Sequence, residues 1–192
     1  LQQCREMLHE NPERYFKPDQ YFNPANSLAH YETTGPELWR QTQEKVTYFV
    51  AGMGTGGTLM GTGRYLKEQN PHIQIVGVEP DDGLHGLEGL KHMASSIVPG
   101  IYHEEQLDRK INVSTEDAYE NVYRLGREEG LLVGQSSGAA MWAALQIARE
   151  IDDGIVVTLF PDFGDKYLST NLWVGWKDFD LRQAHAETRG RA

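Results

Sequence analysis

The chain has 192 residues, of which 39% are hydrophobic and 24% charged, and its formal net charge is −10. This composition is typical of a globular protein with one domain, or with one domain and part of another. The acidic balance argues against nucleic acid or an anionic membrane as the main partner, and no apolar run approaches the roughly 18 residues that span a bilayer. A single cysteine, Cys4, excludes an internal disulfide framework and a cysteine-based zinc cluster. We therefore expect a cytoplasmic protein that binds neither nucleic acid nor membrane.

Residues 1–45 are predicted to form a segment of helices and loops. The chain starts without Met and inside a helical pattern of apolar residues, which indicates a segment leading out of a region further upstream. The first helix is predicted over residues 1–10, because the residue before Pro12 is disfavoured in a helix. Residues 11–26 are predicted to be an ordered loop, and a second helix is predicted over about residues 34–43.

Strands and helices alternate in the remainder of the chain. Short β-branched and aromatic runs predict strands at 46–51, 73–78, 131–133 and 155–160. Helical patterns follow at about 58–69, 114–130 and 138–151, and Ser114 is predicted to cap the second of these helices. The alternation predicts an α/β fold, mainly a parallel sheet flanked by helices, in a domain over residues 46–176. The stretch 80–110 is predicted to be irregular, and residues 177–192 to be a polar tail.

Three turns rich in glycine or serine follow predicted strands, at 52–58, 134–138 and 161–165. In a parallel sheet the carboxyl ends of the strands lie at one edge, and ligands bind in the crevice outside that edge. The three turns are therefore predicted to converge on one ligand site.

The first of these turns has the composition of a phosphate-binding loop: Gly54, Thr55, Gly56, Gly57 and Thr58. Glycine lets the backbone approach an anion closely, the free amides of the following helix point at the anion, and the helix dipole favours its negative charge. The two threonine hydroxyls can add hydrogen-bond donors. The alternative is a glycine-rich turn without a ligand, although such a turn rarely needs three glycines beside two threonines.

The same turn also matches the dinucleotide-binding pattern G-x-G-x-x-G through Gly52, Gly54 and Gly57. Glu79 follows the next predicted strand, where an acid that binds a ribose would lie. This alternative is an NAD-binding oxidoreductase domain with hydride chemistry. It leaves the other two turns without a role.

Ser136, in the second turn, can present a hydroxyl to a heterocycle nitrogen at the end of a strand. The alternative is a serine that only caps the following helix. The seven histidines show no spacing typical of metal ligands, so no metal site is predicted.

Five short motifs occur in a fixed order along the chain: NPAN at 23–26, TTGPE at 33–37, GTGGT at 54–58, GQSSGA at 134–139 and GDKYLST at 164–170. In this combination the chain resembles the cysteine synthase (O-acetylserine sulfhydrylase) and cystathionine β-synthase family of pyridoxal-phosphate enzymes. The resemblance covers about residues 1–173. The ordered set is specific, although each motif alone is a weak signal.

The resemblance implies the fold-type II architecture, in which two α/β domains clasp pyridoxal 5′-phosphate, and this chain resembles the larger domain. The GTGGT loop would hold the cofactor phosphate, and Ser136 would form a hydrogen bond with the pyridine nitrogen. Gln20 falls where the family has a glutamine near the substrate carboxylate. The implied activity is synthesis of L-cysteine by β-replacement on an O-activated serine, such as O-acetylserine with sulfide. The resemblance also implies an amino-acid substrate, a homodimer in the complete enzyme, and serine acetyltransferase as a partner.

The sequence departs from the family at the residues that carry the covalent chemistry. The family's lysine that forms a Schiff base with the cofactor lies upstream of the asparagine–proline motif, as does its Thr-Ser-Gly-Asn substrate loop, and neither occurs in this chain. No lysine has the family's context among Lys17, Lys45, Lys67, Lys91, Lys110, Lys166 and Lys177. The chain therefore has no predicted catalytic residue, and alone it is expected to be inactive. A non-catalytic paralogue that acts as a binding module is a further alternative.

Overall fold

The computed structural model of the protein describes residues 2–180. Its helices within these residues are α1 (Gln2–Glu10), α2 (Ala25–Glu32), α3 (Thr34–Gln41), α4 (Gly57–Gln69), α5 (Thr115–Arg124) and α6 (Gln135–Glu150). Its strands are β1 (Tyr48–Gly52), β2 (Gln74–Pro80), β3 (Arg109–Val113) and β4 (Val156–Thr158). None of the helices in this part of the chain combines the length and the apolar character that a membrane crossing requires.

The four strands form one parallel sheet in the order β3-β2-β1-β4, with helices on both faces. Phe49 of β1 packs in a core with α3 and α4, whereas its neighbour Val50 packs in a second core with α5 and α6. Successive strand residues point to opposite faces of a sheet, so β1 is buried on both sides, as is typical of parallel sheets. The predicted α/β class with a parallel sheet is confirmed.

Two elements of the structure were not predicted from the sequence. Helix α2 occupies the end of the predicted loop and continues to Glu32. Strand β3 lies at the end of the stretch predicted to be irregular. Because β3 is an edge strand, only Ile111 and Val113 among its five residues are buried, and the apolar signal is correspondingly weak.

The strand predicted at 131–133 is wrong. In the structure Val133 forms a single antiparallel bridge with Phe163, and Leu131 and Leu132 remain partly exposed. The apolar run therefore reflects one buried side chain, Val133, rather than a strand of the sheet. The bridge instead holds the turn after β4 next to the start of α6.

The predicted cap of α5 is confirmed: Oγ of Ser114 accepts a hydrogen bond of 3.0 Å from the backbone N–H of Asp117. The helix continues as a π-helical turn, Leu125–Glu129, and ends at Gly130, which has a φ of 71°. Such a left-handed residue is the usual end of a helix.

Helix α4 packs against α2 more closely than ordinary side chains allow. A Cβ atom at Gly61 would collide with the backbone carbonyl of Ser27 and with the side chain of His30. Glycine at position 61 therefore brings α2 against the start of α4. This contact places side chains of α2 beside the turn between β1 and α4.

Candidate functional site

The main candidate site is a cleft at the carboxyl ends of β1 and β4. The segments that line it are the β1–α4 turn, the start of α6, the turn after β4, α2 with α3, and the segment before the short 3-10 helix Met93–Ser95. The lining residues are His30, Thr34, Ala51, Gly52, Gly54, Thr55, Gly56, Gly57, Thr58, Glu88, Gly89, Leu90, Ser136, Leu159, Phe160, Pro161, Asp162 and Tyr167. The three turns singled out in the sequence thus contribute to one cleft.

The glycines of the β1–α4 turn occupy positions where a side chain would not fit. Gly56 is the N-cap of α4 and has a φ of 86°, a left-handed conformation that favours glycine. A Cβ at Gly54 would lie 2.6 Å from the carbonyl oxygen of Gly89, and one at Gly57 would collide with the side-chain amide of Asn26. The first N–H groups of α4 have no partner within the helix, so the turn presents donors and a positive dipole end to the cleft.

Asn26, on α2, holds this turn in place. Its Nδ2 donates to Oγ1 of Thr55 over 3.0 Å and to the backbone carbonyl of Gln20 over 2.8 Å. Oγ1 of Thr55 also accepts from the N–H of Gly57 at 3.4 Å. One amide therefore connects the loop before α2 with the candidate phosphate loop.

His30, one turn further along α2, lies between two threonines of the cleft. Its Nδ1 is 2.9 Å from Oγ1 of Thr34, and its Nε2 is 3.2 Å from Oγ1 of Thr58. Burial lowers the pKa of His30 below its ordinary value, which favours the neutral imidazole.

Ser136 lies in the first turn of α6, and only 9% of its surface is exposed. The alternative role as a helix cap is wrong, because α6 begins at Gln135 and its N-cap is Gly134, which makes no side-chain cap bond. Ser136 lines the cleft beside the positive end of the α6 dipole.

Gln135, next to Ser136, fastens the segment that covers one side of the cleft. Its Oε1 accepts from the backbone N–H of Glu88 at 2.7 Å. Gly86 is held in the same way from α5, because its carbonyl accepts from the hydroxyl of Tyr119 and its N–H donates to Oγ1 of Thr115, each over 2.9 Å. These bonds fix the backbone of Gly89 over the turn.

The turn after β4 contributes an acidic side to the cleft. The hydroxyl of Tyr167 donates to Oδ2 of Asp162 over 2.7 Å, and Nζ of Lys166 is 3.9 Å from the same oxygen. Burial and the hydrogen bond to Asp162 raise the pKa of Tyr167 above its ordinary value. Oδ1 of Asp162 is buried and has no hydrogen-bond partner. This oxygen lies against Gly134, where an added Cβ atom would be only 2.1 Å away from it.

Two predicted residues do not line the cleft. Gln20 is exposed on the loop before α2, where its backbone carbonyl is bound by Asn26. Glu79 is 5% exposed, its Oε2 accepts from the N–H of Met93 at 2.8 Å, and its Oε1 is 3.1 Å from Nζ of Lys110. Both oxygens of Glu79 are therefore used inside the fold, which disfavours a ribose-binding role.

Sequence reasoning did not single out Asn26 or His30 as site residues. Both lie on α2, and their partners in the cleft are 29 and 28 residues away along the chain. Asn26 belongs to the NPAN motif, which was the one available signal. Within residues 2–180 no group of three or more His, Cys, Asp or Glu side chains could hold a metal ion.

Comparison with known proteins identifies the family of this chain. Residues 1–162 match the family model described as pyridoxal-phosphate dependent enzyme. The chain is 55% identical over 173 residues to the cysteine synthase of Aquifex aeolicus, a match that covers 88% of this chain and 53% of the relative.

Solved structures agree with this assignment. O-acetyl serine sulfhydrylase isoform 3 from Entamoeba histolytica superimposes with a TM-score of 0.85 at 31% identity, over 94% of this chain and 55% of that protein. The O-acetylserine-dependent cystathionine β-synthase from Helicobacter pylori gives a TM-score of 0.82 at 38% identity, over 90% of this chain and 58% of that protein. The chain spans about half the length of the curated relatives that it matches. It belongs to the cysteine synthase family of fold-type II pyridoxal-phosphate-dependent enzymes.

Proposed function

We propose that this chain is the part of a cysteine synthase that binds the cofactor phosphate. The complete enzyme would make L-cysteine by β-replacement on an O-activated serine, with O-acetylserine and sulfide as the substrates. The single observation that carries the proposal is the β1–α4 turn, whose residues 54–58 line the cleft as a cradle at the N-terminus of α4. Such a cradle is suited to a phosphate group.

The residues of the cleft fit pyridoxal 5′-phosphate. At Gly54 and Gly57 a Cβ atom would collide with Gly89 and with Asn26, so glycine at these positions lets the loop pack closely beside the cleft. The amides of Gly54, Thr55, Gly56, Gly57 and Thr58 would hold the phosphate, with the two threonine hydroxyls as further donors. Across the cleft, the hydroxyl of Ser136 would face the nitrogen of the pyridine ring.

When bound, pyridoxal phosphate would supply the electron sink for loss of the α-proton and the β-leaving group. A neutral hydroxyl at Ser136 would not stabilise a proton on the ring nitrogen, which limits the sink and suits β-elimination. Gln20 lies exposed outside the cleft of this chain, and only in the complete enzyme would it bind near the carboxylate of the amino-acid substrate. Asn26 would hold its loop against the phosphate turn. The covalent chemistry needs a lysine that this chain does not have in the family's context, so we expect the chain alone to be inactive.

We extend the proposal to the substrates, the oligomeric state, the location and the partner of the complete enzyme. The relatives named cysteine synthase support an amino-acid substrate. A homodimer, a cytoplasmic location and serine acetyltransferase as a partner follow from membership of the family and belong to the proposal. One structural relative is described as an O-acetylserine-dependent cystathionine β-synthase and not as a cysteine synthase, so sulfide as the acceptor is part of the proposal and not a property of the fold.

Calorimetric titration of the purified chain tests the proposal. The ligands are pyridoxal 5′-phosphate, pyridoxal, inorganic phosphate and NAD⁺. We expect binding of pyridoxal phosphate, competition by inorganic phosphate, and much weaker binding of pyridoxal, which has no phosphate. Equal affinity for pyridoxal and pyridoxal phosphate, or binding of NAD⁺ in preference to both, would contradict the proposal and would favour another class of ligand.

The same preparation tests the expected inactivity. With pyridoxal phosphate, O-acetylserine and sulfide, we expect no cysteine above a buffer blank and no visible Schiff-base band. Borohydride reduction that attaches the cofactor to one specific lysine, together with turnover above the blank, would overturn this expectation.

A further inference from the structure

Gln135 belongs to the GQSSGA motif, and its side-chain amide is buried, with only 1% of the residue exposed. Its Oε1 accepts from the backbone N–H of Glu88 at 2.7 Å, and its Nε2 donates to the hydroxyl of Tyr119 over 3.3 Å. Both partners lie outside α6. A leucine would fill this position without the cost of burying an amide, so the feature that distinguishes glutamine here is what its two bonds hold.

The bond to Glu88 holds a tight turn over residues 87–90. The N–H of Leu90 donates to the carbonyl of Leu87 over 3.2 Å, and Gly89, the third residue, has a φ of 89°, as in type II turns. The two leucines are buried in the core that packs against α6. Glu88 and Gly89, between them, are exposed and line the cleft. The turn therefore forms one wall of the cleft, and Gln135 binds the N–H of its second residue.

The 87–90 turn contacts both parts of the cleft that the cofactor is proposed to use. On the side of the phosphate, the carbonyl oxygen of Gly89 comes so close to Gly54 that a Cβ there would be 2.6 Å away. On the other side, Gln135 is followed directly by Ser136, whose hydroxyl is proposed to face the pyridine nitrogen. A ring that extends from the phosphate turn to Ser136 would therefore lie beside the 87–90 turn.

We propose that Gln135 is a positioning residue for the cofactor ring: by accepting from the N–H of Glu88, it holds the 87–90 turn as the wall of the cleft beside the pyridine. The proposal rests on the function proposed above and deepens it, because it assigns a role to the glutamine of the GQSSGA motif. Gln135 does not itself line the cleft, so its effect on binding passes through the turn. Inorganic phosphate would occupy only the β1–α4 turn, so its binding should not depend on Gln135.

Nuclear magnetic resonance of the unsubstituted chain tests the wall. In the ¹⁵N-labelled chain, pyridoxal 5′-phosphate should shift the amide signals of Glu88 and Gly89, and inorganic phosphate should shift them much less. The amide of Glu88 should also exchange slowly with water for a residue on an exposed turn, because its N–H is bonded to Gln135. Signals of Glu88 and Gly89 that stay in place at saturating pyridoxal phosphate, while those of the 54–58 turn move, would overturn the proposal.

Two substitutions of buried amides separate this role from a general effect on the fold. Gln135→Leu removes the acceptor that faces Glu88, whereas Asn121→Leu removes a buried amide of α5 that donates within its own helix, to the carbonyl of Asp117 over 2.8 Å. In calorimetry, Gln135→Leu should bind pyridoxal phosphate about fivefold more weakly, the usual effect of one lost hydrogen bond between neutral groups, and inorganic phosphate as tightly as before. Asn121→Leu should bind both ligands like the unsubstituted chain. Thermal unfolding of both variants measures any change in stability separately.

The affinities for the two ligands distinguish a positioning role from a structural one. An equal loss for both ligands in Gln135→Leu, no loss for pyridoxal phosphate, or the same loss in Asn121→Leu would overturn the role of Gln135. If Gln135→Leu does not fold, the shifts of Glu88 and Gly89 in the unsubstituted chain still test the proposal. Failure of the unsubstituted chain to bind pyridoxal phosphate would instead contradict the proposed function itself.

Discussion

Asn26 and Thr55 are 29 residues apart in the chain, and their side chains are joined by a hydrogen bond of 3.0 Å from Nδ2 to Oγ1. The same Nδ2 donates to the carbonyl of Gln20 at 2.8 Å. The loop that carries the candidate substrate residue is therefore tied to the loop that carries the candidate phosphate site. Loss of this amide should affect both loops.

Replacement of Asn26 by Asp should weaken the binding of pyridoxal phosphate on the order of tenfold, measured by calorimetry. The carboxylate has the size of the amide, but it places an acceptor against the carbonyl of Gln20, draws the hydroxyl hydrogen of Thr55 away from the phosphate site and adds negative charge beside the phosphate loop. Asn23→Asp is the matched control. Asn23 also donates to a backbone carbonyl, that of Pro18 at 2.9 Å, but it has no bond to the phosphate turn.

If Asn23→Asp weakens cofactor binding as much as Asn26→Asp, the tie between Asn26 and Thr55 is not the cause. The effect would then belong to the loop before α2 as a whole.

Gly57→Ala should destabilise the fold by about 1–3 kcal/mol, the range typical of a methyl group forced into a packed site. The new Cβ would collide with the side-chain amide of Asn26, which cannot move without losing its hydrogen bond to Thr55. Gly63→Ala, in the same helix, is the control. There the Cβ would lie 3.0 Å from Cγ2 of Ile75, and alanine's better helix propensity offsets this tight contact. Urea unfolding measures the difference in the free energy of unfolding between the two variants. If Gly57→Ala is as stable as Gly63→Ala, the predicted steric conflict with Asn26 is absent.

Ser136→Asp and Ser136→Ala should change the complete enzyme in different ways. An aspartate would hold a proton on the pyridine nitrogen, shift the absorption spectrum of the bound cofactor and slow β-elimination. Alanine would remove one hydrogen bond, worth about 1 kcal/mol of cofactor binding. Since Ser136 lies in the first turn of α6, a negative charge is also favourable to the helix dipole, so neither variant should lose its fold. An unchanged spectrum and elimination rate in Ser136→Asp would rule out the contact with the ring nitrogen.

Glu79→Gln should reduce stability and leave ligand binding unchanged. The carboxylate accepts from the N–H of Met93 and pairs with Lys110 at 3.1 Å, and replacement of the charged acceptor by an amide should cost about 1–3 kcal/mol. Under the dinucleotide alternative, Glu79 would bind a ribose and its replacement would abolish binding of NAD⁺. Chemical unfolding and calorimetry on one preparation distinguish the two. NAD⁺ binding that is lost in Glu79→Gln would support the alternative.

Sequence reasoning predicted those parts of the fold and the site that have a signal in a short stretch of sequence. The glycines of the β1–α4 turn lie within a few residues of one another, and β1 and β2 are largely apolar because both of their faces are buried. Strand β3 was missed because an edge strand buries only alternate residues. Asn26 and His30 were missed because their partners in the cleft come from a helix and turn about 30 residues away, a relationship that no local pattern records. The bounds of α6 mattered as well, since they decide whether Ser136 caps the helix or lies within it.

The claim that the Gly54–Thr58 turn binds the cofactor phosphate is tested most directly by following its backbone amides. In the ¹⁵N-labelled chain, titration with inorganic phosphate should shift the amide signals of this turn together and to saturation. Pyridoxal phosphate should shift the same signals and, in addition, the amide of Ser136, because the proposed contact of Ser136 with the pyridine nitrogen would bring the ring to that side of the cleft. Amide signals of the turn that do not move at saturating pyridoxal phosphate, while signals elsewhere in the chain do, would contradict the account.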